Sequence, residues 1–179
     1  MTDSKRRSFF TLVFALALYV AGASFVQSFV NYPSWALIGP GEFRAYHHQM
    51  ESRIIPFMVI PWFVEIISTF ALMWLRPLEV RLGAIVAVQA FNLIALASTI
   101  LIQIPLQIEL GDQGISPAVL ERLIATDPIR WISLVCKLAL YLWIMLRLVN
   151  TPNSLVEPVA KRIKINSPPA GSHGVKARA

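Results

Sequence analysis

Glu65 and Lys137 are single charges set inside long apolar runs of a 179-residue chain. Glu65 lies near the middle of the run 54–75, and Lys137 lies in the first half of the run 129–149. An unpaired charge at mid-bilayer depth costs about 2–3 kcal/mol or more. The similar depths predict a pair between them that neutralises both charges and fixes helix register. The alternative is that Glu65 serves as an acid or proton carrier.

A second group follows Pro40-Gly41. Glu42, Tyr46, Gln49 and Arg53 fall at spacings of four, three and four, which places them on one helical face. His47 and Glu51 are four apart on a neighbouring face. An imidazole with an ordinary pKa of about 6.5 suits proton removal at neutral pH. His47 is therefore read as base or ligand, with Glu42 orienting it and Arg130 stabilising an anion or enolate. The pair His47–Glu51 could give a metal two ligands, but nothing elsewhere in the sequence repeats it, and no metal is assigned. The competing reading is a solvated interfacial helix, with Glu42 and Arg130 as a structural ion pair that closes the bundle.

Amides supply a third signal. Gln89, Asn92, Thr99, Gln103 and Gln107 recur at helical spacings and should share a stripe facing protein or water. Such a stripe either joins helices by hydrogen bonds or lines a cavity. Gln103 and Gln107, with Trp35, Trp62 and Trp131, are the expected substrate-binding residues. Pro56, Pro61 and Pro105 cluster at the same level, where kinks would make room for a pocket.

Four apolar runs must position these groups: about 9–30, 54–75, 82–106 and 129–149. Each has the roughly 20 residues a helix needs to cross a bilayer. The expected fold is all-α, an integral membrane four-helix bundle with short extracytoplasmic helices in the two outer loops. In the first loop Tyr32 and Trp35 suit an aromatic interface belt. In the second, Ser116 reads as an N-cap, Pro117 as a first helical residue, and Asp127 as the cap of the last span. Residues 1–149 form the membrane domain. Residues 150–179, rich in Pro, Ser and Lys/Arg, read as a disordered basic cytoplasmic tail.

Composition agrees with a lipid-solvated chain. Hydrophobic residues make up 56% and charged residues 15%, against about 25% charged in soluble domains. That excludes a disordered chain and a nucleic-acid-binding protein, despite a net charge of +6. The lone Cys136 excludes an internal disulfide and reads as a small buried hydrophobe. Lys5, Arg6, Arg7, Arg76, Arg81 and Arg147, with the basic tail, fall on one side of the four runs. This bias predicts both termini cytoplasmic in a bacterial plasma (inner) membrane. Ala21-Gly22-Ala23 fits a signal-peptidase site, but the apolar run continues past it to Val30, and retention as a helix is expected.

The strings Asn31-Tyr32-Pro33-Ser34-Trp35, Ile38-Gly39, Glu42-Phe43, Tyr46-His47, Ile102-Gln103-Ile104-Pro105-Leu106-Gln107 and Asp127-Pro128-Ile129-Arg130-Trp131 carry a resemblance. Over roughly residues 10 to 148 the chain resembles small four-helix bacterial membrane proteins, distantly similar to the anthrone-oxygenase-like family. The resemblance implies cofactor-independent oxidation of a polycyclic phenolic anthrone, and Glu42, His47, Gln107, Arg130 and Trp131 as site residues.

Two function classes remain open on the residues themselves. One is a membrane enzyme, oxygenase- or isomerase-like, acting at an outer-face polar pocket on a lipophilic small molecule. The other is a non-catalytic partner subunit or lipid-binding module. A small transporter is a weaker third, since no inverted repeat is visible. Membrane lipid is an expected partner, and a homo- or hetero-oligomer fits either class. No P-loop, dinucleotide-binding glycine pattern or HExxH pair is present, and the cofactor is left unknown.

Overall fold

The computed structural model describes residues 1–150, so the expected tail lies, but for its first residue, outside the described residues. The chain is all-α. Four helices, Asp3–Trp35, Pro40–Leu75, Leu82–Gln113 and Pro117–Asn150, are each long and apolar enough to cross a membrane. Their lengths of 33, 36, 32 and 34 residues correspond to about 50 Å each at 1.5 Å per residue. A hydrocarbon core is only about 30 Å thick. The short outer-loop helices of the sequence reading are thus mostly extensions of the spans. Pro40–Ile54 runs into the second, Ile104–Gln113 continues the third, and Pro117–Thr126 meets the fourth at Asp127.

Short links make successive helices antiparallel. Gly114 ends the third helix at φ +89°, a conformation that an L side chain resists, and its N–H bonds Leu110 O at 3.0 Å. The first helix packs closely on the second, the second on the third, and the end of the third on the start of the fourth. Small buried residues, Ala17, Ala21, Ser24 and Ser28, line the inward face of the first helix. Their small-xxx-small spacing permits close backbone approach.

Three five-residue π-helical turns interrupt the rods: Gln27–Asn31, Ile55–Val59 and Thr99–Gln103. Each ends two residues before a proline, at Pro33, Pro61 and Pro105. Proline lacks an N–H and its ring crowds the carbonyl four residues earlier. A wide turn relieves that crowding without ending the helix. Phe57 O, four residues before Pro61, instead accepts the Tyr19 hydroxyl at 2.7 Å.

At the basic end, first-helix arginines serve the C-termini of its neighbours. Arg6 donates to Trp74 O and Arg76 O at 3.3 and 3.0 Å. Arg7 donates to Leu148 O at 3.4 Å and pairs with Asp3 and Glu79. Carbonyls left open at a helix C-terminus favour such cations. Above this lie three apolar layers. The layer at the basic end holds Phe10, Leu72, Ile85 and Tyr141, the middle one Val20, Trp62, Ile66 and Ala95. The third, at the opposite end, holds Tyr32, Trp35, Phe43, Leu110 and Leu123. Phe29, Phe57, Ile67, Leu101 and many other apolar side chains face outward, as lipid contact requires.

Candidate functional site

Between the basic end and the middle, the structure brings Glu65 and Lys137 together. Lys137 Nζ donates to Glu65 Oε2 at 2.9 Å and to Asn92 Oδ1 at 2.8 Å. Asn92 Nδ2 donates to Glu65 Oε1 at 3.3 Å. The Tyr141 hydroxyl reaches the same oxygen at 3.3 Å, and Thr69 Oγ1 lies 3.0 Å from it. All five side chains are fully buried. A buried ion pair is tolerable only when further hydrogen bonds complete both partners, and here three helices supply them. The amide stripe divides its work: Asn92 joins this network, Gln103 Nε2 bonds Thr126 Oγ1 at 3.1 Å, and Gln107 serves elsewhere.

At the opposite end, polar groups converge on Tyr32. Gln107 Nε2 donates to its hydroxyl at 2.9 Å, and Arg130 Nη2 at 3.3 Å. Arg130 also donates to Ser28 Oγ at 3.3 Å and pairs with Asp127 Oδ1 at 2.6 Å. Arg130 and Asp127 are nearly fully buried. Asp127 stands at the N-terminus of the last span. It neutralises Arg130 one turn away, while its main-chain carbonyl accepts the N–H groups of Arg130 and Trp131.

The expected triad of Glu42, His47 and Arg130 does not assemble. Glu42 is exposed and folds its carboxylate back on Gly39, at the N-terminus of its own helix. That placement satisfies the helix dipole. Five residues separate Glu42 from His47, so the two point to different sides of the helix. His47 is buried among aromatics, 5.3 Å from the Trp35 ring and 5.6 Å from that of Phe43. Its carboxylate neighbour is Glu51, with Oε1 3.6 Å from Nδ1. About 20 residues suffice for a crossing that ends at Leu75, so His47 lies on the extension beyond the membrane. There, burial pushes its imidazole below the ordinary range, and the nearby Glu51 opposes that only in part.

Tyr32 and Trp35 do not form an interface belt either. Both are fully buried, with ring centroids 5.0 Å apart, and they connect Arg130 to His47 through packed aromatic rings. Trp131 is half-buried against Phe29 at 5.7 Å.

A cavity of about 410 Å³ opens between the second and third helices, at the level of the wide turns. Its walls are mainly apolar, with Ile54, Met58, Trp62, Ile100 and Leu134. Arg130, Gln107 and Glu51 are among its polar lining. Of the expected lining, Trp62, Gln107 and Arg130 take part. Trp35 and Gln103 do not, because each is buried in helix packing.

No protein-family model, curated protein or solved structure matches the chain. The site is therefore argued from its own chemistry. Arg130 is a cation with a fixed orientation, held by Asp127 and Tyr32. Glu51 is a carboxylate at the cavity wall with a buried imidazole behind it. Among the described residues no group of three or more His, Cys, Asp or Glu is placed to hold a metal. Tyr32 and Asp127 are the site residues that reading the sequence left without a role in it, and Glu51 was read there only as a possible metal ligand beside His47. Asp127 was legible as an i, i+3 partner of Arg130. Tyr32 carried no signal beyond its aromatic type.

Proposed function

We propose that this multi-pass membrane protein binds a lipophilic small molecule with one anionic or phenolic end, which enters from the bilayer. The observation that carries the reading is the cavity between the second and third helices, mainly apolar with a few polar lining groups that include Arg130 and Gln107. Ligand pockets of this kind are mostly apolar, with a few fixed polar groups that set orientation. The basic end bears Arg6, Arg7, Arg76, Arg81 and Arg147, which supports cytoplasmic termini in a bacterial inner membrane.

Chemistry on the bound molecule is the further step of this reading. Glu51, at the wall, would accept a proton from a phenol or an activated C–H, and His47 lies behind it at 3.6 Å. Arg130 would hold the resulting oxyanion. This agrees with the resemblance to the anthrone-oxygenase-like family and equally with an isomerase. A non-catalytic lipid-binding module or partner subunit is the second reading. It is favoured by Arg130 being already paired with Asp127.

The test is mass spectrometry of organic extracts from gently purified protein, together with thermal shifts on adding anthrone or a long-chain fatty acid. A stoichiometric lipophilic compound, or stabilisation lost in Trp62→Ala and Gln107→Leu, supports the binding site. Oxygen uptake or isomerisation of the bound compound, lost in Glu51→Gln, supports the enzyme. No compound and no shift with either probe overturns both.

A further inference from the structure

The face carrying Tyr46, Gln49 and Arg53 has no part in the cavity described above. It forms one wall of a separate groove of about 550 Å³ between the first and second helices. The opposing wall is a stripe of the first helix, with Tyr19, Ala23, Gln27 and Asn31 at successive helical turns. The two walls are graded in the same direction. Near the link between the helices they offer Gln27, Asn31, Gln49 and Arg53. Toward mid-membrane they offer Ala23, Phe57 and Met58.

Two observations define the occupant. Arg53 is exposed, and among the described residues no acidic side chain lines the groove with it. Gln27 is 2% exposed, and its Oε1 is taken by Asn31 Nδ2 at 2.7 Å. Its Nε2 is fully enclosed and lies within bonding reach of the Tyr32 hydroxyl, so the Gln27 amide shapes the wall and is not open to a ligand. Arg53 stands one turn before Pro56, where a 20-residue crossing that ends at Leu75 begins. That depth is the headgroup level.

We infer that this groove binds one acidic phospholipid, with its phosphate against Arg53 and one acyl chain along Ala23, Phe57 and Met58. The site is separate from the cavity of the proposed function and stands whether or not that cavity holds a ligand. It shares only the wall residues Ile54 and Met58 with it.

Native mass spectrometry of the delipidated full chain in neutral detergent tests the assignment, with phosphatidylglycerol and phosphatidylcholine added at equal concentration. A basic residue near a membrane surface contributes about 1 kcal/mol toward acidic lipid, which is about fivefold in affinity. The expected result is one retained phosphatidylglycerol, preferred about fivefold over phosphatidylcholine. Arg53→Gln should bring the ratio to about one, while Arg122→Gln, on an exposed arginine outside the groove, should leave it unchanged. Both changes are at exposed positions, so folding is not at stake. Equal retention of the two lipids overturns the assignment. So does a preference that survives Arg53→Gln, or a dimer that excludes lipid from the groove.

Discussion

Lys137 Nζ sits 2.9 Å from Glu65 Oε2, and neither side chain is exposed to any degree. Removing one partner of such a pair costs about 3–5 kcal/mol, because the other is left buried and uncompensated. Lys137→Met alone should therefore sharply lower the melting temperature and the yield of folded protein in detergent. Glu65→Gln together with Lys137→Met should restore much of both. A double variant no better than the single would show that the pair is not the source of the loss.

Gly111 brings the third helix against His47. A Cβ added there would lie 3.1 Å from His47 Nδ1. His47 is fully buried and packed by Trp35 and Phe43. Gly111→Ala should cost stability, and Gly111→Val about 1–3 kcal/mol, the usual range for overpacking. Thermal unfolding followed by size-exclusion fluorescence reads this directly. His47→Ala should relieve part of the loss, whereas additive losses would place the strain elsewhere.

The buried imidazole also gives the stability a pH dependence. Burial lowers the His47 pKa in the fold below the ordinary value, which is about 6.5 in an unfolded chain. Below that value the unfolded chain takes up a proton that the folded one refuses. The contribution is whole above about pH 6.5 and is lost as pH falls through the lower folded value. The melting temperature should drop between pH 7.5 and 5.5, and less so in His47→Phe. Equal slopes in the two proteins would remove His47 from the account.

Orientation is tested with single cysteines on a Cys136→Ser background. Gly41→Cys and Asp112→Cys should react with a membrane-impermeant maleimide from outside intact cells, and Leu78→Cys only after permeabilisation. The reverse pattern would invert the topology.

The spans and the meeting of Glu65 with Lys137 were legible because a charge in an apolar run has few places to go. Equal depth left each as the other's natural partner. The lengths of the helices were legible in part: Glu42 to Arg53 reads as a helix that continues into the second span, as it does, but hydropathy alone does not show it. Residues such as Glu42, Arg44 and Gln49 lower the hydropathy of 40–54, and an apolar-run boundary stops where polarity begins, while the hydrogen-bonded helix continues. His47 illustrates the same limit. Phe43, His47, Met50 and Ile54 recur at four, three and four, an inward-facing stripe in which His47 is the polar member. The competing stripe of Glu42, Tyr46, Gln49 and Arg53 has the same spacing, and spacing alone does not say which one faces the bundle. Glu42 was drawn toward Arg130 by charge, although Asp127, three residues from Arg130, was the nearer partner.

The three wide turns have a consequence for insertions and deletions. A π turn holds one more residue than the α-helix needs to keep its phase, and each residue of an α-helix is worth about 100° of rotation. Loss of a single residue within Thr99–Gln103 would close that turn to an ordinary one and leave Gln107 facing Tyr32. Loss of one residue from the regular turns of 82–98 would instead turn everything beyond like a key in a lock, taking Gln103 from Thr126 and Gln107 from Tyr32. Gln27–Asn31 and Ile55–Val59 would absorb a loss in the same way as Thr99–Gln103, so the reading frame of each of these rods is most forgiving at the level of the cavity.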